Sequence, residues 1–431
     1  MSPIEKSEDC LEDAVYIKGI NSTGKGVGKL KDGSIVFVPR TVPGDTVKVS
    51  VTKRKSRWSQ AKLIDVIRPS VDRVESVCPH YDSCNGCALQ HMDYRAQLKW
   101  KINKVEESFR RIAGIETSVS GIQKSPNQYG YRSRLSFTLL RLPDSRIVAG
   151  FHSLWAPNRI EDVVETCSLG EETLNLAWKS LRQIWGEGAR LLPSGRKLRL
   201  TLRTVQGGIA LIIQGGKGPG NPKHLMSLVS EIVSIWSEDS RGNKRLLAGS
   251  PILYDERIGE IIEVGPTDFL QANRSCEILL NEWVCDQIEP CQGLRVIDAY
   301  CGFGPFGRRL MTFGCEVIGI ERDLENDFDL TNSDFGTFNC LKGTAEDILP
   351  EVLPADAVIL NPPRIGLDQS VTKIMCENGP PLVIYVSCDP ATMARDLGRM
   401  IENYEIKKIK LFDLFPQTPH TETVAVLARR T

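Results

Sequence analysis

Two apolar runs near the C-terminus meet residues able to make and break bonds. Val386-Ser387-Cys388-Asp389-Pro390 sets a thiol at the end of one run. Its thiolate is a candidate nucleophile; a small buried thiol is the other reading. Phe415-Pro416-Gln417-Thr418-Pro419-His420-Thr421-Glu422 places an acid just before the other run. Glu422 is either a general base or an exposed surface carboxylate. Upstream, Asp298-Ala299-Tyr300-Cys301-Gly302-Phe303-Gly304-Pro305-Phe306-Gly307 carries a Gly-x-Gly-x-x-Gly turn. Such a turn lets a nucleoside approach the backbone, and Glu321, 23 residues after Asp298, is placed to accept from both ribose hydroxyls. The turn fits a dinucleotide, S-adenosylmethionine or a purely structural role. Asp298 favours the methyl donor, because a carboxylate there would repel a pyrophosphate.

Asn361-Pro362-Pro363-Arg364-Ile365-Gly366-Leu367-Asp368 follows a third apolar run. Its two prolines fix an extended turn that directs Asn361 towards the same crevice. Cys78, Cys84 and Cys87 form a Cys-x5-Cys-x2-Cys triple, and Cys167 is a distant fourth. Thiolates at this spacing bind zinc or an iron–sulfur cluster, and spacing leaves both open. His80 and His91 flank the triple and read as surface residues. Arg132 and Arg134 are either RNA phosphate contacts or a structural pair in a central sheet.

The elements that must position these groups follow from pattern. From about residue 291 the chain alternates candidate strands (294–299, 317–320, 357–360, 382–387, 406–412, 423–428) with helical stretches. This predicts an α/β, doubly wound parallel sheet with an antiparallel end pairing. Residues 14–68 carry apolar clusters separated by glycine turns, which predicts a small barrel. That region also collects charge, with 13 Lys/Arg against 5 Asp/Glu between Val15 and Glu75. Its densest stretch, Lys53-Arg54-Lys55-Ser56-Arg57-Trp58, suits phosphate pairing and base stacking, or is a solvated hairpin tip. Tyr94, Leu98, Ile102, Val105, Phe109 and Ile112 mark one helix face, with Gly114 as its cap.

Composition sets the outer bounds. The chain has 431 residues, 41% hydrophobic and 25% charged, which excludes disorder and coiled coil for its bulk. Lys+Arg and Asp+Glu are both 54, so only the distribution of charge can argue for nucleic acid. No apolar run approaches the ~18 residues of a spanning helix, and the acidic first residues lack an apolar signal segment. An odd count of 13 Cys argues for reduced thiols in a cytoplasmic protein. A monomer without membrane contact is expected.

The motifs together resemble the RNA uracil-5-methyltransferase family, which makes 5-methyluridine in transfer and ribosomal RNA. Asp268-Phe-Leu-Gln271-Ala-Asn273 resembles its Phe-Phe-Gln-x-Asn signature, and Asp298 to Gly307 its Asp-x-Tyr/Phe-Cys-Gly-x-Gly loop. Asn361-Pro-Pro-Arg364, Ser387-Cys388-Asp-Pro-Ala-Thr392 to Asp396, and Phe415 to Glu422 match the remaining motifs in order. The resemblance implies a Rossmann-like S-adenosylmethionine-dependent methyltransferase domain over 276–431. It also implies a TRAM-like RNA-binding β-barrel over 14–70 behind an acidic tail (1–13), and a central α+β domain over 71–275 carrying a metal cluster. It implies Cys388 as nucleophile towards carbon 6 of uracil and Glu422 as the base at carbon 5. Gln271, Tyr300, Glu321 and Asn361 would contact the donor, and Cys78, Cys84, Cys87 and Cys167 would hold a [4Fe–4S] cluster. The expected partner is a 23S-type ribosomal RNA, ahead of transfer RNA.

Two positions depart from the pattern. The family has Asp where Asn361 stands, and a polar residue where Pro305 stands. Asn keeps one acceptor but loses the charge and gains a donor. The departures motivate two alternatives: an RNA-binding protein with a degenerate catalytic domain, and a nitrogen methyltransferase using Asn-Pro-Pro. The second expects an aromatic after the prolines, where Arg364 stands, and leaves Cys388 and Glu422 without roles.

Overall fold

The computed structural model describes residues 13–324, 328–331 and 336–431. Apart from Asp13, the expected acidic tail lies outside them. The described residues form two compact units: 13–100, 151–161 and 417–419 in the smaller, and the others in the larger.

In the smaller unit, β1 (Asp13–Ile20), β2 (Gly26–Lys29), β3 (Ile35–Val38), β4 (Thr46–Arg54) and β5 (Trp58–Arg68) close into a barrel, as the turn spacing predicts. Alternate residues point inward, so Val15, Ile17, Val36, Val38, Val47 and Val49 fill its interior. Lys53 to Arg57 are exposed at the β4–β5 turn. Trp58 is half-buried and packs edge-on against Phe37 at 5.9 Å between ring centroids.

Helix α1 (Tyr94–Ser108) continues through a short π-type turn, Phe109–Ala113, and stops at Gly114, whose φ of +66° and N–H bond to the Phe109 carbonyl form the expected cap. Two main sheets follow. The first, of seven strands, joins β7 (Arg134–Arg141), β8 (Ile147–His152), β9 (Ile160–Asp162), β10 (Lys197–Val205), β11 (Gly208–Gln214), β12 (Ile232–Glu238) and β13 (Lys244–Gly249). Helices α2 (Glu172–Ile184) and α3 (Pro222–Leu228) pack on it. A hairpin of β14 (Leu253–Arg257) and β15 (Glu260–Val264) leads to helix α4 (Arg274–Asp286).

The second sheet has nine strands in the order β18-β19-β17-β16-β20-β21-β23-β22-β6. Its members are β6 (Gly121–Gln123), β16 (Arg295–Ala299), β17 (Glu316–Glu321), β18 (Phe328–Thr331), β19 (Thr337–Lys342), β20 (Ala357–Leu360), β21 (Leu382–Ser387), β22 (Tyr404–Phe412) and β23 (Glu422–Arg429). Strands β19, β17, β16, β20 and β21 run parallel, and β23 inserts antiparallel between β21 and β22. Helices α5 (Pro305–Met311), α6 (Ala345–Val352), α7 (Gln369–Asn378) and α8 (Pro390–Met400) lie between the strands in sequence. Both faces are covered: Ile297, Ala299, Val358 and Leu360 join one core cluster, and Val296, Ala357 and Ile359 the other. Burial on both sides explains why these strands are continuous apolar runs. Strand order reverses between β16 and β20, the place where such sheets open a ligand crevice.

Candidate active site

The parallel strands deliver the expected residues to one edge. β16 ends before Tyr300, β17 at Glu321, β20 before Asn361 and β21 before Cys388. Antiparallel β23 begins at Glu422, so this acid starts at the same edge. Ser387 pairs with Thr423 in the β21–β23 ladder, and the next step brings Cys388 to Glu422.

The Cys388 turn is closed locally. The Ser387 hydroxyl donates to the Asp389 carbonyl at 3.0 Å and accepts from the Asp389 N–H at 3.1 Å. Asp389 then caps α8 through the Ala391 N–H at 2.9 Å, and Pro390 opens the helix. Cys388 is half-buried. Burial pushes its thiol up, the Glu422 charge adds to this, and Arg364 opposes it.

Glu422 is 3% exposed, not a surface carboxylate, and its Oε2 has no hydrogen-bond partner. Burial pushes its carboxyl up to about 8, with Arg364 opposing. Both groups are therefore held towards their protonated forms.

Arg364 is the cation that both groups feel, and sequence reading did not single it out. It is exposed on a loop held from α8. The Arg395 Nη2 donates to the Ile365 carbonyl at 2.8 Å. Buried Asp396 accepts from the Leu367 N–H and from the Tyr385 hydroxyl, both at 2.8 Å. Gly366 turns the loop at φ +80°, and a Cβ there would lie 2.5 Å from the Asp396 Oδ2. Further cations lie near His420, two residues before Glu422: burial first, then Arg364, Lys104 and Arg132, hold its imidazole down at about 4. Arg134 instead lies within β7, paired with Arg203 of the central sheet.

On the donor side, Glu321 accepts from the Gly302 N–H at 3.0 Å and the Asp323 N–H at 2.9 Å. The glycines divide their work. Cβ atoms on Gly304 and Gly307 would meet the Phe338 ring at 2.2 and 2.5 Å, so both serve packing. A Cβ on Gly302 would meet open space, at φ +59°. Buried Asp298 accepts from the Gly307 N–H at 3.1 Å, while its Oδ1 has no partner. Tyr300 adopts φ +62°, and burial, with the nearby Glu346 charge, pushes its phenol up. An orphaned buried acceptor, a glycine facing open space and a carboxylate at the β17 end fit a nucleoside-bearing donor. Asn361 is tied by its N–H to the Ala299 carbonyl at 3.2 Å, which joins β20's exit to β16.

Gln271 stands on the segment before α4. Its carbonyl accepts from the Arg257 Nη1 at 2.7 Å, and Arg257 is buried against Asp255 and Glu277 at 2.9 and 2.7 Å. No motif signals Arg257; a lone arginine in a hairpin strand is indistinguishable from a surface residue.

The cysteines behave differently. Cys78, Cys84 and Cys87 belong to the smaller unit and Cys167 to the larger. Among the described residues no group of three or more His, Cys, Asp or Glu is arranged to hold a metal ion. The loop is ordered by Arg40, whose guanidinium donates to the carbonyls of Tyr81, Cys84 and Cys87 at 2.6, 2.6 and 2.5 Å and stacks on the Tyr81 ring. The surface assignment of His91 is corrected: it is 3% exposed, bonded to the Tyr81 hydroxyl at 2.5 Å, and burial holds it down at about 3. His80 is half-buried. An imidazole with one hydroxyl partner can stay neutral inside, which residue type alone does not reveal.

Residues 326–430 match the family described as tRNA (Uracil-5-)-methyltransferase, and residues 14–64 match the TRAM domain. A protein of Thermosynechococcus vestitus described as an RNA methyltransferase is 32% identical over 95% of this chain and 96% of its own. One of the same description from Halalkalibacterium halodurans is 30% identical over 99% and 98%. The crystal structure of Pyrococcus abyssi tRNA (uracil-54, C5)-methyltransferase with S-adenosyl-L-homocysteine is similar at a TM-score of 0.74 and 25% identity, covering 96% of this chain and 100% of that one.

Proposed function

Because the chain belongs to the RNA uracil-5-methyltransferase family and is an S-adenosylmethionine-dependent enzyme, we propose that it methylates carbon 5 of one uridine in structured RNA through a covalent bond from Cys388. The observation that carries this reading is the β21–β23 register, which brings a half-buried thiol near a buried carboxyl whose Oε2 has no hydrogen-bond partner.

Carbon 5 of uracil is a poor nucleophile. Addition of the Cys388 thiolate to carbon 6 pushes the ring electrons towards carbon 5 and the carbon 4 oxygen, giving an enolate. Carbon 5 then takes the methyl group as the methyl–sulfur bond of the donor breaks and leaves its electron pair on that sulfur, and carbon 5 still carries its hydrogen. The Glu422 carboxylate removes that proton, the carbon 6–sulfur bond breaks, and the thiolate leaves. The donor, when bound, supplies the methyl group and a sulfonium charge that favours the Cys388 thiolate. Arg364 supports ionisation of both protein groups. Gln271, Tyr300, Glu321 and Asn361 are the donor contacts in this reading. The cations Arg132, Lys104 and Arg364 suit the phosphates of a uridine turned out of its stack.

The TRAM domain and the cysteine set favour ribosomal RNA over transfer RNA as substrate. The Cys-x5-Cys-x2-Cys spacing with Cys167 supports a structural [4Fe–4S] cluster, and no catalytic step depends on it. Iron and acid-labile sulfide content of the purified protein tests that assignment. No helix among the described residues is long and apolar enough to cross a membrane, and the thiol-rich composition suits a cytoplasmic enzyme.

The test is product identity. The protein, methyl-labelled donor and unmodified ribosomal or transfer RNA are incubated, and the digested nucleosides are separated. Label in 5-methyluridine from ribosomal RNA is expected. Label on a nitrogen would favour the Asn-Pro-Pro alternative. RNA binding without transfer would favour the degenerate enzyme.

A further inference from the structure

Asn273 uses the two ends of one buried amide on two parts of the site. It is 1% exposed. Its Oδ1 accepts from the Cys276 N–H at 3.2 Å and caps α4. Its Nδ2 donates to the Leu414 carbonyl at 3.1 Å and to the Ser125 hydroxyl at 2.9 Å. Gln271 lies just upstream on the same segment. Leu414 lies just beyond Phe412, the residue paired with Glu422 across β22 and β23. The neighbourhood of Leu414 is firmly held: buried Lys101 bonds the Asp413 carboxylate at 2.5 Å and the Phe415 carbonyl at 3.1 Å, and the Asp413 N–H donates to Gln123 at 2.9 Å. Burial pushes the Cys276 thiol up to about 12, and the charges of Asp413 and Glu422 add to it.

We propose that Asn273 is a positioning residue that registers the donor-contact segment at Gln271 against the base-bearing edge at Glu422. The inference rests on the roles given to those two residues above. The cap needs only an acceptor, which Asp or Ser also supplies. The bond to Leu414 needs an amide donor, which Asp lacks and which Ser is too short to reach. One side chain thus sets the geometry of both methyl transfer and proton removal.

The full-length variants Asn273→Asp and Asn273→Ser are compared with Gln271→Ala and Glu422→Gln. Calorimetry reads donor affinity, a denaturing gel reads the methylated covalent RNA complex, and thermal melts establish that each variant is folded. Gln271→Ala weakens donor binding alone, and Glu422→Gln accumulates the complex alone. Asn273→Asp does both, with donor affinity falling roughly five- to tenfold, and Asn273→Ser carries the same test should the Asp variant not fold. A merely structural cap would be restored by Asn273→Asp, and wild-type values in both readouts overturn the proposal. Either effect without the other also overturns it. Wild-type behaviour of Gln271→Ala and Glu422→Gln would instead sink the underlying assignment of roles.

Discussion

Cys388 and Glu422 are the residues next beyond Ser387–Thr423, the last registered pair of two antiparallel strands. The two are distant in sequence, yet the ladder makes them neighbours, and the Glu422 charge is felt at the Cys388 thiol. A nucleophile and a base that act on adjacent ring carbons need this proximity. Each anion disfavours the other, and in the proposed mechanism the thiolate is consumed in the bond to carbon 6 before the carboxylate is required.

Removing the base should therefore stop the reaction late rather than early. Glu422→Gln keeps the size and loses the proton acceptor. Turnover is expected to fall roughly 10²- to 10⁴-fold, while the methylated enzyme–RNA complex accumulates on a denaturing gel. Loss of turnover without that complex would assign Glu422 a structural role.

The acidity of Glu422 gives a pH signature. Its folded value of about 8 lies above its ordinary value, so the carboxylate form grows as pH rises through 8. For the free enzyme, kcat/KM should climb through the same window. Stability runs the other way. The folded state holds this proton more tightly than the unfolded chain, so its contribution is full at acid pH and is lost as pH rises towards and past 8. Glu422→Gln should consequently melt at a higher temperature than wild type at pH 9 and lose most of that advantage near pH 5.

Arg364 favours the anionic form of both groups. Arg364→Gln should shift the rising limb of the pH–rate profile to higher pH and leave the melting temperature within a degree or two, because the side chain is exposed. An unshifted profile would confine Arg364 to binding.

The Arg364 loop depends on Gly366. A methyl group there meets the Asp396 carboxylate at 2.5 Å in a left-handed backbone conformation. Gly366→Ala should cost about 1–3 kcal/mol of stability by thermal or urea unfolding, with activity lost in proportion to displacement of Arg364.

Legibility followed physics. Strands β20 and β21 were readable with correct bounds because burial on both faces leaves uninterrupted apolar runs. Strands β18, β19 and β6 were not, because Thr337 to Lys342 mixes polar and apolar residues and Gly121 to Gln123 is three residues long. Thr418, Thr421, Glu422 and Thr423 form a polar stretch that reads as surface yet is buried. The motif named Cys388 and Glu422, but their adjacency comes from the insertion of β23 between β21 and β22, which no local pattern encodes. Arg257 and the divided loyalty of Asn273 are likewise properties of packing.

The central claim is a transient sulfur–carbon bond from position 388. RNA containing 5-fluorouridine traps it, because fluorine cannot be removed as the proton is. Wild-type protein with donor should yield a denaturant-stable adduct whose tryptic peptide carries the nucleotide on Cys388, and Cys388→Ala should yield none. An adduct of equal yield in the Ala variant, or none in either protein alongside active methylation of normal RNA, would contradict it.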